Sequence, residues 1–143
     1  MATQKNEIGY VLEDQVGHIM RKANQRHTGI FSSLMPDEVT PTRFAALVKL
    51  HELGPLSQNE LGRLTAMDVA TIKGVVDRLK QRDLVQGKKD EADARRQIIS
   101  LTAKGEELVS RIIPIAIEVT RQTTAPLTQS EARTLNALLK KLA

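Results

Sequence analysis

Basic side chains are concentrated in the middle of this 143-residue chain, where they could bind a polyanion. Residues 62–104 contain ten Lys and Arg against six Asp and Glu, so this stretch accounts for the net charge of +4 of the whole chain. Clustered cations of this kind are typical of proteins that bind nucleic-acid phosphates. A solvated charged face without a partner is the alternative that the charge alone leaves open.

Other kinds of site find little support in the sequence. The chain has no cysteine, which excludes a disulfide scaffold, a thiolate metal site and a thiol nucleophile. His18, His27 and His51 do not have the spacing of metal ligands. Because there is also no Gly-rich phosphate loop and no evident Ser-His-Asp grouping, we predict no enzyme, no metal and no cofactor.

Apolar runs are too short for a membrane span. The longest run, residues 112–117, has six residues and includes Pro114. The first ten residues lack a basic segment followed by an apolar one, which a signal peptide would need. We therefore expect a cytoplasmic protein without a membrane partner, which would associate with the nucleoid if the basic stretch binds DNA.

Capping signals divide the centre of the chain into short helices. Thr40, followed by proline, begins one helix, and Gly54, also followed by proline, ends it. Ser57 and Glu60 form the pattern of a capping box, which opens a short helix. Asp68 caps the next helix, expected over residues 69–82, whose apolar side comprises Val69, Ile72, Val75, Val76 and Leu79.

A charged tract between two apolar runs predicts a β-hairpin after these helices. The runs are residues 84–85 and 98–101, and the tract over residues 87–96 forms the tip. Two helices joined by a tight turn and followed by a hairpin constitute a winged helix-turn-helix. In that motif the second helix enters the major groove of double-stranded DNA.

The exposed side of the second of these helices is small and polar. Gly74 lies near its middle, although an interior glycine costs about 0.8–1 kcal/mol relative to alanine. Close approach of the backbone to DNA would explain this glycine, and the alternatives are a tolerated glycine or tight contact with another helix. Lys73 and Arg78 can reach a phosphate or a guanine edge, while Asp77 can orient one of them or accept from a cytosine.

An exposed arginine at the hairpin tip can enter an A·T-rich minor groove, and a nearby aspartate can hold it extended. A solvated charged turn is the alternative here as well. The DNA-binding residues that we expect are Ser57, Gln58, Ala70, Thr71, Lys73, Gly74, Arg78, Lys88, Lys89, Asp93, Arg95 and Arg96.

The order of these features resembles the MarR family of transcriptional regulators over residues 42–105. The most specific part is an Asp-x-Arg sequence, Asp93 to Arg95, followed by Leu-Thr-x-x-Gly ending at Gly105. The resemblance implies a homodimer with interlocked terminal helices and one winged lobe per subunit on palindromic DNA. It also implies that Asp93 and Arg95 match the wing residues of the family. One departure is Asp83, at a position where the family usually has glycine.

We therefore predict a mainly α fold with a small β-hairpin wing, in a single MarR-type domain. Residues 1–39 and 104–143 are expected to form dimerisation helices, the first of them over about residues 6–31, and residues 40–103 a winged helix-turn-helix lobe. The apolar stripes of the terminal helices favour a homodimer, because a small lobe has little surface to cover them, and packing within one chain is the alternative. Two-fold symmetry then predicts an inverted-repeat operator with half-sites about 10–10.5 bp apart.

The run from Arg21 to Phe31 resembles MarR-type repressors of aromatic catabolism that respond to hydroxycinnamates or p-coumaroyl-CoA. This implies a repressor released by an aromatic acid or its CoA thioester, whose carboxylate or phosphates Arg21, Lys22 and Arg26 could face. The family pocket lies between the dimerisation helices and the winged lobe. The ligand-binding residues expected there are Arg21, Asn24, Arg26, His27, Phe31, Phe44, Val48, His51 and Ile112.

Several alternatives fit the same sequence. His27 and His51 could be ordinary, partly buried histidines, and a pH-driven histidine switch is a rival trigger. The winged helix could serve as a protein-interaction module instead of binding DNA. A regulator that needs no ligand, or an activator, fits the same sequence.

Overall fold

The structure is a computed structural model that describes residues 7–143. Among these residues, six α-helices, a 3-10 helix at Leu12–Asp14 and three short strands confirm the prediction of a mainly α fold with a β-hairpin. The elements are α1 (Val16–Leu34), α2 (Pro41–Leu53), β1 (Leu56–Ser57), α3 (Gln58–Leu64), α4 (Val69–Gln81), β2 (Val85–Lys89), β3 (Gln97–Leu101), α5 (Ala103–Thr124) and α6 (Gln129–Leu142). Residue 6, where the first helix was expected to begin, lies outside the described part, and α1 begins at Val16.

The chain divides into two compact units. The terminal unit consists of residues 118–143 together with the described residues up to Leu34, and it contains α1 and α6. The winged unit, Met35–Ile117, contains α2, α3, α4 and the sheet. No helix in the described part is both long enough and apolar enough to cross a membrane.

Side-chain caps begin the helices of the winged unit at the predicted residues. Thr40, Ser57 and Asp68 each accept a hydrogen bond from the backbone N–H three residues further along, at 3.4, 3.1 and 2.7 Å. The capping box expected at Ser57 is half formed, because the Glu60 carboxylate instead accepts from Arg63 at 2.6 Å. Each cap satisfies a backbone donor that the helix itself leaves unpaired.

The core of the winged unit is built around one side of α4. Ile72, Val75, Val76 and Leu79 are buried as predicted. Val69 was expected on the same side and is 71% exposed instead, which corrects that expectation. It lies in the first turn, at the edge of the apolar stripe. The remaining fully buried side chains include Leu47, Leu50, Leu61 and Ile99.

The turn between α3 and α4 is tight and contains a strained residue. Ala66 has a φ of 56°, in the left-handed region that disfavours any residue with a Cβ. Next to it, the N–H of Met67 donates to the carbonyl of Gly62 at 2.9 Å. A Cβ at Gly62 would lie 2.9 Å from Cγ2 of Ile72, so this glycine lets α3 and α4 approach each other.

Replacing Ala66 with glycine is expected to raise the free energy of unfolding by about 1 kcal/mol. The left-handed conformation costs alanine about 1–2 kcal/mol, and the greater freedom of glycine in the unfolded chain offsets part of that gain. Urea denaturation at fixed protein concentration measures the change. Ala45→Gly, inside α2, is the control and should lower stability by about 1 kcal/mol. If Ala66→Gly lowered the free energy of unfolding as Ala45→Gly does, the backbone at Ala66 would not be strained.

The sheet has the order β1-β3-β2 and is antiparallel throughout. The predicted hairpin is β2 and β3, which pair from Val85 opposite Leu101 to Lys89 opposite Gln97. Strand β2 is therefore longer than expected, and Lys88 and Lys89 lie in a strand and not in the tip. Strand β1, which was not predicted, pairs with the middle of β3. Two residues are too few to show strand alternation in a sequence.

The start of α5 packs against the backbone that precedes β2. Thr102 donates from its hydroxyl to the carbonyl of Asp83 at 2.6 Å, and its N–H donates to the carbonyl of Leu84 at 3.1 Å. Asp83 adopts the left-handed region with a φ of 59°, which a glycine would occupy at less cost. A Cβ at Gly105 would lie only 2.1 Å from the Leu84 carbonyl oxygen, so no other residue fits there without backbone movement.

Candidate nucleic-acid interface

The structure exposes one side of α4 as predicted. This side carries no acidic residue in its first two turns, and Ala70, Thr71 and Gly74 are small enough to allow close contact with a flat or grooved partner. Its predicted DNA-binding residues are all exposed, namely Ala70, Thr71, Lys73, Gly74 and Arg78.

The charges on this side are partly paired. Nζ of Lys73 donates to the Asp77 carboxylate at 2.8 Å, and this hydrogen bond lowers the pKa of Asp77. Asp77 therefore orients Lys73 and not Arg78. Among the described residues Arg78 has no ion-pair partner, so its guanidinium is available to a phosphate or a guanine.

A recess beside α4 adds residues that sequence reasoning missed. Thr40, Thr42 and Arg43, from the start of α2, line it together with Ala70, Thr71, Gly74, Val75 and Arg78 of α4. The Thr40-Pro41 cap marked the helix start, but nothing local shows that this start adjoins α4. A Cβ at Gly74 would meet no atom within 4 Å, so packing inside the described structure does not require this glycine.

The wing tip holds one arginine away from the protein surface. The Asp93 carboxylate accepts from the backbone N–H of Arg95 at 3.0 Å and from its Nε at 3.2 Å. These two hydrogen bonds, and the nearby charge of Arg96, lower the pKa of Asp93. The Arg95 side chain is 92% exposed, and its two terminal nitrogens point to no described partner. Arg96 lies 3.7 Å from the Asp90 carboxylate.

The base of the wing adjoins the start of α3. Gln58, Arg95 and Arg96 line one recess with Ser57, Asn59 and Gln97, so the structure brings four of the predicted residues together. The Ser57 side chain, however, is buried and serves as the α3 cap. Lys88 and Lys89 are exposed along β2.

A side-chain hydrogen bond joins α4 to the wing. Nζ of Lys80 donates to Oε1 of Gln97 at 2.8 Å. A Cβ at Gly87 would lie 2.9 Å from that Nζ, so the absence of a side chain at Gly87 leaves room for Lys80 to cross β2. Sequence reasoning missed both partners, because they are seventeen residues apart and belong to different elements.

The expected ligand-binding residues of the terminal unit are partly bonded to the end of α5. Arg26 donates from Nη1 to the Thr123 carbonyl at 2.7 Å and from Nη2 to the Gln122 carbonyl at 2.8 Å. Nδ1 of His27 lies 2.8 Å from the Thr123 hydroxyl. Arg21 lies 3.3 Å from the His18 ring, Asn24 is exposed and Phe31 is buried.

The other expected ligand-binding residues belong to the winged unit. His51 lies 2.9 Å from the Glu106 carboxylate, on the exterior of this unit. Phe44 and Val48 are half-buried, and Ile112 is fully buried. Within the residues described, no three His, Cys, Asp or Glu side chains group together as a metal site would require.

Comparison with known proteins identifies the family. The MarR family model matches residues 39–96, which run from the start of α2 to the wing. The HTH-type transcriptional repressor NicR from Pseudomonas putida is 42% identical over 134 residues, covering 93% of this chain and 85% of NicR. The chain belongs to the MarR family. It is thus a DNA-binding transcriptional regulator of that family and not an enzyme.

Solved structures of two bacterial proteins share the fold. The crystal structure of a probable transcriptional regulator from Pseudomonas aeruginosa has a TM-score of 0.90 at 48% identity, over 92% of this chain and 99% of that one. BpsR from Bordetella bronchiseptica has a TM-score of 0.85 at 38% identity, over 90% and 98% of the two chains. The BpsR structure concerns the regulation of its DNA binding by 6-hydroxynicotinic acid.

Proposed function

We propose that this MarR-family regulator is a homodimeric repressor that binds an inverted-repeat operator and is released by an aromatic acid. The observation that carries the DNA-binding part is the pairing, within one unit, of an exposed small-residue side on α4 with an Arg95 held outward by Asp93. The exposed side of α4 suits a major groove, and Arg95 suits a minor groove. These two grooves adjoin on one duplex. In this proposal Lys88, Lys89 and Arg96 add phosphate contacts.

Apolar side chains of the terminal unit support the homodimer. Leu135, Leu138, Leu139 and Leu142 of α6 are 40–69% exposed, and Val16, Ile19 and Met20 of α1 are 43–62% exposed. Exposed apolar groups on this scale are typical of a protein interface. We infer that a second copy covers them, with residues 1–39 and 104–143 contributing the dimerisation helices and residues 40–103 the winged lobe.

The relatives favour a small aromatic acid as the effector. BpsR, at 38% identity, is regulated by 6-hydroxynicotinic acid, which is an aromatic carboxylic acid. Of the two ligand classes that the sequence left open, this precedent supports the free acid over a CoA thioester such as p-coumaroyl-CoA. Arg21 and Lys22 both lack a carboxylate or carbonyl side-chain partner among the described residues, and we assign the acid's carboxylate to Arg21 because a guanidinium can bind a carboxylate through two parallel hydrogen bonds.

Release follows from linkage between the two ligands. An effector that prefers a dimer whose winged lobes are wrongly separated for DNA must weaken DNA binding. The factor by which the effector lowers the affinity for DNA equals the factor by which DNA lowers the affinity for the effector. Arg26 and His27 connect α1 to the end of α5 within the terminal unit. If Arg26 and His27 gave up these hydrogen bonds to contact the effector, the link between α1 and α5 would change. Effector binding would thereby be coupled to the arrangement of these two helices.

Selection of bound duplexes from a random pool tests the DNA-binding part. The purified protein, at about physiological salt, should enrich an inverted repeat with half-site centres one helical turn apart. A folded dimer that enriches no sequence would contradict the proposal and favour a protein-interaction module. Enrichment of a single half-site would contradict the two-fold arrangement.

Titration of the protein–operator complex tests the effector. We expect 6-hydroxynicotinate to lower operator affinity, and p-coumarate and p-coumaroyl-CoA serve as the competing classes. An Arg21→Gln variant should keep operator affinity and lose the response to the acid. A response confined to the CoA thioester, or no response to any of the three, would overturn this part.

A further inference from the structure

An apolar side chain is exposed at the start of α4, beside the polar side that we propose faces DNA. Val69 is 71% exposed, more than any other large apolar residue described in the winged unit, where Ile117 at 66% and Leu53 at 56% follow. It is the first residue of α4. In helix-turn-helix proteins, the residues at the start of the second helix are the ones that contact base edges.

The neighbours of Val69 leave it accessible to a base. On the adjacent row of α4, Ala70 and Gly74 are exposed and short, and a Cβ at Gly74 would meet nothing within 4 Å. Lys73 lies one turn after Val69 on the same face of the helix. Its Nζ donates to the carboxylate of Asp77, a further turn along, at 2.8 Å. The two methyl groups of Val69 therefore protrude beside a nearly bare stretch of backbone.

Val69 is also held rigidly. The Asp68 carboxylate accepts from the N–H of Thr71 at 2.7 Å, which fixes the first turn around Val69. A β-branched side chain in a helix has one strongly preferred rotamer, so placing its methyl groups against a ligand costs little conformational entropy.

We propose that Val69 selects thymine at one position in each operator half-site by packing its methyl groups against the C5-methyl group of the base. That methyl is the apolar group that base pairs present in the major groove, and valine has no donor or acceptor for the other base edges. The assignment rests on the proposed operator binding and adds a specificity determinant to it.

Replacement of single thymines by uracil in the selected operator tests this assignment, because uracil lacks only the C5-methyl group. At one position per half-site the wild-type protein should lose about fourfold in affinity, the effect of about 0.8 kcal/mol for one methyl-sized group. The Val69→Ala variant should bind the thymine operator more weakly and should be insensitive to uracil at that position. Fluorescence anisotropy with both duplexes measures all four combinations.

Leu53→Ala is the matched control, since Leu53 is an exposed apolar residue of the same unit at the end of α2. It should keep both the wild-type affinity and the wild-type sensitivity to uracil. The assignment is overturned if wild type tolerates uracil at every position, or if Val69→Ala keeps the wild-type sensitivity. In both cases the operator binding itself would still stand, whereas a protein without any preferred duplex would overturn both proposals.

Discussion

Substituting Arg95 with alanine is expected to weaken operator binding at least tenfold while leaving the fold intact. The side chain is 92% exposed and its only described bonds are to Asp93, so its removal opens no cavity. An arginine in the minor groove, or one bound to a base edge, contributes about 1–3 kcal/mol per contact, and a dimer would lose two such contacts. Anisotropy with the selected operator measures the loss.

Asp93→Asn separates the role of the aspartate from that of the arginine. The amide oxygen can still accept from the Arg95 backbone, but it loses the charge that holds the guanidinium. We expect an affinity between those of wild type and Arg95→Ala. The control is Arg121→Ala, since Arg121 is an exposed arginine of the terminal unit paired with Glu118. Equal weakening by Arg121→Ala and Arg95→Ala would argue for a general charge effect.

Substituting Gly105 with alanine is expected to lower the free energy of unfolding by about 3 kcal/mol or more. The new Cβ would lie 2.1 Å from the Leu84 carbonyl oxygen, and a backbone atom cannot rotate away as a side chain can. That carbonyl also accepts from Thr102 at 3.1 Å, and Leu84 and Val85 are buried. Strain in a packed region is among the causes of unusually large destabilisation.

Gly74→Ala is the matched control for Gly105→Ala. Its Cβ would meet nothing within 4 Å, so alanine should raise stability by about 0.5–1 kcal/mol through its helix propensity. Urea denaturation of both variants at one protein concentration makes the comparison, because the stability of a dimer depends on concentration. If Gly105→Ala were as stable as wild type, the close packing of α5 on Leu84 would be wrong.

Features set by neighbouring residues could be predicted from the sequence. Thr40, Ser57 and Asp68 cap the expected helices because an N-cap acts over three residues. The full capping box at the start of α6, with Thr128 and Glu131 bonded in both directions, has the same local origin. The hairpin was predictable because two apolar runs flank one polar tract.

Features set by distant residues could not be predicted. Arg26 bonds to carbonyls almost a hundred residues away, and a sequence pattern shows a cation without showing its acceptor. Arg43 reaches the α4 recess only through the packing of α2. Val69 was misplaced because it lies at the edge of an apolar stripe, where periodicity cannot distinguish a buried residue from an exposed one.

Ser57 joins two elements that are usually considered separately. Its backbone pairs with Ile98 of β3 as part of β1, while its hydroxyl accepts from the N–H of Glu60 in α3. Fraying at the base of the wing therefore releases the backbone of the residue that caps α3. Local opening should involve both together, so that the amide protons of the first α3 turn and of the centre of β3 exchange with solvent as one cooperative unit.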